Sequence, residues 1–289
     1  MKGFGNNKKI SNDSLEKKFK SLHKDKIISK AFSLHSEGKL KEASEIYNFL
    51  IENKIFDPRV FNNLGSLYSQ LKQFDKAIFL FNKSITKFPN SLEAYTNLAN
   101  VLMIKGRGDI AKQVLNKAIE INPNYVKPYS NLASIFVGEG NLKKAEFILR
   151  KSLEIDPKDI QNLVNLACVL KDLGNPEQSE RFLRDAIEIN PEFDSALINL
   201  GAVLNELGKT DEGEEYLKKA LKRNPNSPIA LNNLGNVMTK KNNHKDAELC
   251  YRKAIKIKPD FSLAYNNLAS TLSMKGNIIE AEKFTEKAI

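Results

Sequence analysis

Seven asparagines carry the chemistry this sequence offers most plainly. Asn63, Asn97, Asn131, Asn165, Asn199, Asn233 and Asn267 stand 34 residues apart, each followed by Leu and then by Gly or Ala. A side-chain amide presents donors and an acceptor together, so a row of amides suits the backbone of an extended peptide without reading its side chains. Asn is less favourable than Ala inside a helix by roughly half a kcal/mol, so its recurrence in helix-favouring segments calls for a reason. The other chemistry-bearing residues form no reacting set. His23, His35 and His244 are scattered, and Cys168 and Cys250 are too few and too distant for a disulfide framework or a zinc site. Gly208-Lys209-Thr210 matches the end of a phosphate loop, but Val203 stands where the first Gly is required and no strand precedes it. The sequence predicts no catalytic residue, no cofactor, no metal site and no evident small-molecule substrate.

The elements that must position the asparagines share their period. Pro89, Pro123, Pro157, Pro191, Pro225 and Pro259 form a second ladder with the same 34-residue step. A fixed period of this length predicts a helical array rather than the two domains that 289 residues would suggest. Seven copies read as helix pairs at 58–91, 92–125, 126–159, 160–193, 194–227, 228–261 and 262–289. The break inside them carries Gly106, Gly140, Gly174, Gly208 and Gly276, with Lys72 and Asn242 in the remaining two, as expected for a left-handed residue just past a helix end. Gly174-Asn175-Pro176 further suggests an N-cap followed by a first-turn proline. Residues 24–57 read as a worn copy in a capping role, with Ser29 at the Asn position and no closing proline.

Small residues on the first helix (Gly65, Ala99, Ala133, Ala167, Gly201, Gly235, Ala269) are expected to face small residues on the second (Ala77, Ala111, Ala145, Ser179, Gly213, Ala247, Ala281), letting the axes approach. Gly213 in place of Ala is expected to loosen its helix by roughly 1 kcal/mol.

Composition limits the partners. Hydrophobic residues make up 41% of the chain, enough for a continuous core, yet no apolar run is long enough to span a membrane and the N-terminus has no signal-like apolar region. A reducing, cytoplasmic setting fits the two cysteines. The net charge is +10, and residues 1–26 supply eight Lys against three Asp and Glu. Residues 1–23 read as a basic, disordered leader that either solubilises the chain or holds phosphates. The position two residues into each repeat (Arg59, Glu93, Lys127, Gln161, Ser195, Ile229, Leu263) mixes signs and ends apolar, which argues against nucleic acid. Arg150, Lys218 and Arg252 follow Glu146, Glu214 and Glu248 by four residues and read as a solvated ion-paired face.

The Asn-Leu-Gly/Ala triplet, the small residues and the proline ladder together resemble the tetratricopeptide repeat over residues 24–289, with a flavour similar to the long arrays of O-linked N-acetylglucosamine transferases. The resemblance implies an all-α, right-handed superhelical solenoid of antiparallel helix pairs, with the seven asparagines on its inner wall. It implies a protein-interaction scaffold binding an extended peptide. The alternative is the substrate-recruiting arm of a larger transferase whose catalytic domain lies elsewhere. Arg59, Asn63, Asn97 and Lys127 resemble four of five positions of a carboxylate clamp, with Asn131 replacing the fifth, a cation. A pentatricopeptide-like RNA binder would step by 35 residues. Since Ala288-Ile289 coincide with positions inside a second helix, Leu268, Leu272, Ala281, Phe284, Ala288 and Ile289 are expected to leave an apolar end exposed. That end would self-associate or continue into a longer protein.

Overall fold

A computed structural model describes residues 23–288; the rest of the leader and Ile289 lie outside the described residues. Sixteen helices and no strand occur among them. The odd-numbered helices are α1 (Lys24–Ser36), α3 (Pro58–Gln70), α5 (Leu92–Ile104), α7 (Lys127–Gly138), α9 (Ile160–Asp172), α11 (Asp194–Glu206), α13 (Pro228–Lys240) and α15 (Ser262–Met274). Their even-numbered partners are α2 (Leu40–Glu52), α4 (Phe74–Lys87), α6 (Gly108–Ile121), α8 (Leu142–Ile155), α10 (Pro176–Ile189), α12 (Thr210–Arg223), α14 (His244–Ile257) and α16 (Ile278–Ala288). The chain forms two compact units that change over between Ile135 and Phe136, within α7. In both, helix contacts join neighbours or helices two apart along the chain.

Local chemistry sets the helix limits. The turn inside each pair holds one left-handed residue: Gly38, Lys72, Gly106, Gly140, Gly174, Gly208, Asn242 or Gly276. The next N–H then reaches back five residues, as from Gln73 to Tyr68 O at 2.8 Å and from Asn175 to Leu170 O at 2.9 Å. These bonds satisfy carbonyls that the helix end would leave orphaned. The even-numbered helices α4 to α14 stop two residues before a ladder proline, which cannot extend them. The pair α1/α2 lacks that proline and stops instead at left-handed Lys54, with Ile55 N–H bonded to Leu50 O at 2.8 Å. Asn175 does not cap α10 through its side chain, as the sequence suggested. Its amide donates to Leu173 O at 3.5 Å instead, leaving Pro176 to start the helix.

The first-helix small residues make room for a large side chain sixteen residues on. A Cβ on Gly65 would lie 2.5 Å from the Phe81 ring, and one on Gly235 would lie 2.4 Å from the Tyr251 ring. Small residues do meet in two pairs. Ser179 Oγ donates to Ala167 O at 2.7 Å, and a Cβ on Gly213 would lie 2.8 Å from Gly201 O. The expectation that Gly213 merely loosens α12 is therefore corrected: the absent methyl is what lets α11 and α12 touch through their backbones.

The exposed C-terminal set is corrected too. Leu268, Leu272 and Ala281 are buried in one cluster with Val237, Met238 and Tyr251, and the Phe284 ring lies tilted against Tyr265 with 5.9 Å between centroids. The large exposed apolar residues of this pair are Leu263, Met274, Ile278 and Ile279.

Candidate peptide-binding surface

The asparagine ladder sits on the odd-numbered helices, one side chain per helix, and every member is half-buried. One turn earlier stand Arg59, Glu93, Lys127, Gln161, Ser195, Ile229 and Leu263, all exposed. Three residues past each Asn come Ser66, Asn100, Ser134, Cys168, Ala202, Asn236 and Ser270, small and partly or fully exposed. The helical period puts these three positions on one stripe.

In the first unit the stripe forms a polar recess of about 390 Å³ between α5 and α7, lined by Glu93, Thr96, Asn97, Asn100, Lys127, Ser130 and Asn131. Asn131 Nδ2 donates to Asn100 Oδ1 at 2.8 Å, tying the two helices together. The Asn97 amide has no hydrogen-bond partner among the described residues, nor do the Lys127 ammonium and the Glu93 carboxylate. The recess thus offers one free amide, one free cation and one free anion. Asn63 lies beside the Tyr47 hydroxyl, whose pKa burial pushes up while Asn63 acts the other way. That hydroxyl makes no well-formed hydrogen bond, so the pair is a close contact only.

The carboxylate clamp does not survive the geometry. Arg59 donates through Nε and Nη2 to both oxygens of Asp57 at 2.9 Å, and its Nη2 also meets Asp25. Those two carboxylates satisfy the guanidinium that a ligand would need. Asp57 also caps α3 through Arg59 N–H at 3.0 Å.

In the second unit the ladder is divided in its roles. Asn165 accepts from Gln161 at 3.0 Å and Asn199 donates to Ser195 O at 2.9 Å, both within one helix. Asn267 spans helices, donating to Asn232 Oδ1 at 2.9 Å and to Asn236 Oδ1 at 3.1 Å. Tyr251 reaches the same group from α14: its ring lies against Gly235 and its hydroxyl donates to Asn236 Oδ1 at 2.8 Å. Asn233 has no hydrogen-bond partner among the described residues and stands near exposed Ile229 on the same helix. Sequence position alone does not separate bridging Asn267 from free Asn233. What distinguishes them is a polar residue at 232 and 236 within reach of 267. Asn267→Ala is therefore expected to lower the urea midpoint, at about 0.5–1.5 kcal/mol for each bond lost. Asn97→Ala and Asn233→Ala should leave it unchanged or slightly raised, since Ala is the better helix former. Equal midpoints for all three would show that the bridge carries no stability.

No group of three or more His, Cys, Asp and Glu is arranged to hold a metal among the described residues. Cys168 and Cys250 are free, and burial pushes both thiols up, away from the reactive thiolate. No described helix is long and apolar enough to cross a membrane.

Sequence profiles of the tetratricopeptide repeat match residues 68–135, 136–204, 193–260 and 250–283. This chain is a tetratricopeptide repeat (TPR) protein. No curated protein matches it by sequence. Among solved structures it is similar to YrrB, a TPR protein with an unusual peptide-binding site, at 26% identity and a TM-score of 0.50, over 64% of this chain and 95% of that one. It is also similar to a chain of the APC/C hetero-tetramer Cut9-Hcn1, at 19% identity and a TM-score of 0.72, over 90% of this chain but only 51% of that one. A TPR protein from Parabacteroides merdae matches at 17% identity and a TM-score of 0.65, over 86% of this chain and 98% of that one. The last two likenesses concern the fold alone. The TPR fold supports a protein-interaction scaffold, and TPR proteins bind proteins or peptides.

Proposed function

We propose that this TPR protein binds an extended peptide segment along the odd-numbered helices, with the recess between α5 and α7 as its anchor in the first unit. The observation carrying this reading is the unpartnered Asn97 amide, set in a polar recess between free Lys127 and free Glu93. An extended chain rises about 3.3 Å per residue, and packed helices stand roughly 8–10 Å apart, so every third peptide residue meets an amide. The peptide's own backbone would supply the partner that the Asn97 amide lacks. The likeness to YrrB supports the same reading, because that TPR protein has a peptide-binding site.

The test uses unstructured 12-residue peptides selected on the full chain from a random library, with affinity read by fluorescence anisotropy. Asn97→Ala combined with Asn131→Ala is expected to weaken them about tenfold, from two hydrogen bonds at about 0.5–1.5 kcal/mol each. The affinity should change little between 50 and 200 mM salt, unlike binding to phosphates. Peptides that bind the double variant as tightly as the parent would remove the asparagine stripe as the site.

A further inference from the structure

The charge of this chain is unevenly divided. Residues 23–135 carry 16 Lys and Arg against 10 Asp and Glu, whereas residues 136–288 carry 23 of each. The difference becomes local in two grooves that occupy the same place in the repeat, one in each unit.

In the second unit a groove of about 500 Å³ lies between the start of α12 and the turn joining α13 to α14. Ion pairs neutralise it. Glu214 accepts from Lys218 at 2.5 Å and from Lys241 at 2.6 Å, and Lys241 also meets Asp211. In the first unit the corresponding groove, about 600 Å³, lies between the start of α2 and the turn joining α3 to α4. By the repeat register Ser44 stands where Glu214 does, Leu71 replaces Lys241, Lys41 replaces Asp211 and Lys76 replaces Asp246. The internal ion pair is thus absent and the charge is reversed. Lys41 and Lys76 have no carboxylate partner among the described residues; Lys76 rests over the Tyr68 ring, 5.1 Å from its centroid. Glu42 is the one acid lining the groove. Leu71 is 44% exposed there, and Phe79, one turn past Lys76 on α4, is 61% exposed with Lys83 over its ring.

We propose that this groove of the first unit docks an acidic protein segment carrying spaced apolar side chains. Its carboxylates would pair with Lys41 and Lys76, beside Ser44 where the second unit has its own Glu214, while an apolar side chain covers Leu71. Lysines seated beside exposed apolar groups suit alternating acidic and apolar residues. A bilayer would need a wider apolar face than Leu71 and Phe79 provide. This site is separate from the asparagine stripe.

The probe is a fluorescein-labelled peptide of four Glu-Glu-Leu triplets, titrated with the full chain in 50 mM NaCl. Lys41→Glu with Lys76→Glu is expected to weaken it at least tenfold. Ser44→Glu with Leu71→Lys, which installs the second unit's ion pair, should weaken it at least fivefold with an unchanged circular dichroism spectrum. Asn97→Ala with Asn131→Ala should bind it as the parent does. Unchanged binding to the double-Glu variant would overturn the proposal, whether or not the grafted pair folds. Loss of binding in the double-Asn variant alone would also overturn it, by moving the acidic peptide to the asparagine stripe and leaving the extended-peptide reading intact. An all-Glu peptide binding equally well would remove the apolar contact and with it the proposal. So would binding of phosphatidylserine vesicles or oligouridylate through these lysines with none of the peptide.

Discussion

Gly213→Ala is expected to destabilise the second unit, although it restores the residue usual at that repeat position. Helix propensity alone would favour Ala by about 1 kcal/mol. Against this, the new methyl would stand 2.8 Å from Gly201 O and 3.3 Å from Asn205 N, both backbone atoms. A flexible side chain could swing aside from such a contact; a helix backbone moves only by separating α11 from α12. That separation would loosen Leu204 and Leu217, which are fully buried at the same seam. Overpacking of this kind costs about 1–3 kcal/mol, so the expected net effect is a loss. Gly138→Ala is the control: it lies in α7 with nothing within 4 Å of the added methyl, and should give a gain of roughly 0.5–1 kcal/mol. Urea midpoints followed by helicity would check both. A Gly213→Ala midpoint above the parent's would show that the helices part at no cost.

Acidification should produce the second large effect. The Arg59 hydrogen bond holds Asp57 well below the usual carboxylate range. Burial would raise Glu180, but hydrogen bonds from Lys209 and Arg184 outweigh it and leave the group lowered. Glu214 is lowered by Lys218 and Lys241, and Glu248 by Lys275 and then Arg252. In the unfolded chain these carboxylates return to about pH 4, so the folded state binds fewer protons than the unfolded state in acid. The stability they contribute is complete above about pH 5 and drains away as pH falls through 4 toward the lowered folded values. The urea midpoint is expected to be flat from pH 8 to 5 and to fall steeply by pH 3. Glu180→Gln, Glu214→Gln and Glu248→Gln together should flatten that fall for the second unit. A triple variant that loses as much as the parent on acidification would assign the acid sensitivity elsewhere.

These carboxylates also show where a linear reading reaches its limit. The pairs Glu214–Lys218 and Glu248–Arg252 were legible, being four residues apart on a helix. Lys209 reaching Glu180 and Arg184 reaching Glu212 were not, because 29 and 28 residues separate the partners and only the stacking of one repeat on the next joins them. The face read as solvated is thus a set of links between repeats. The left-handed turns at Lys72 and Asn242 were legible through the 34-residue step even without Gly, since their place in the register marked them. For the candidate site, period and residue type located the stripe. Whether an amide is free, like Asn97, or bridging, like Asn267, depends on neighbours contributed by the preceding repeat.

Among the described residues the main helix contacts join neighbours or helices two apart along the chain, and this short reach bears on how the chain acquires its structure. No helix has to wait for a distant stretch of sequence, so the entropy of closing large loops hardly enters the rate, and chains with such local contacts fold in microseconds to milliseconds. Folding can begin at any pair of helices and spread in both directions. A chain emerging from the ribosome could therefore close α3 on α4 and seat Phe81 against Gly65 long before α15 is made.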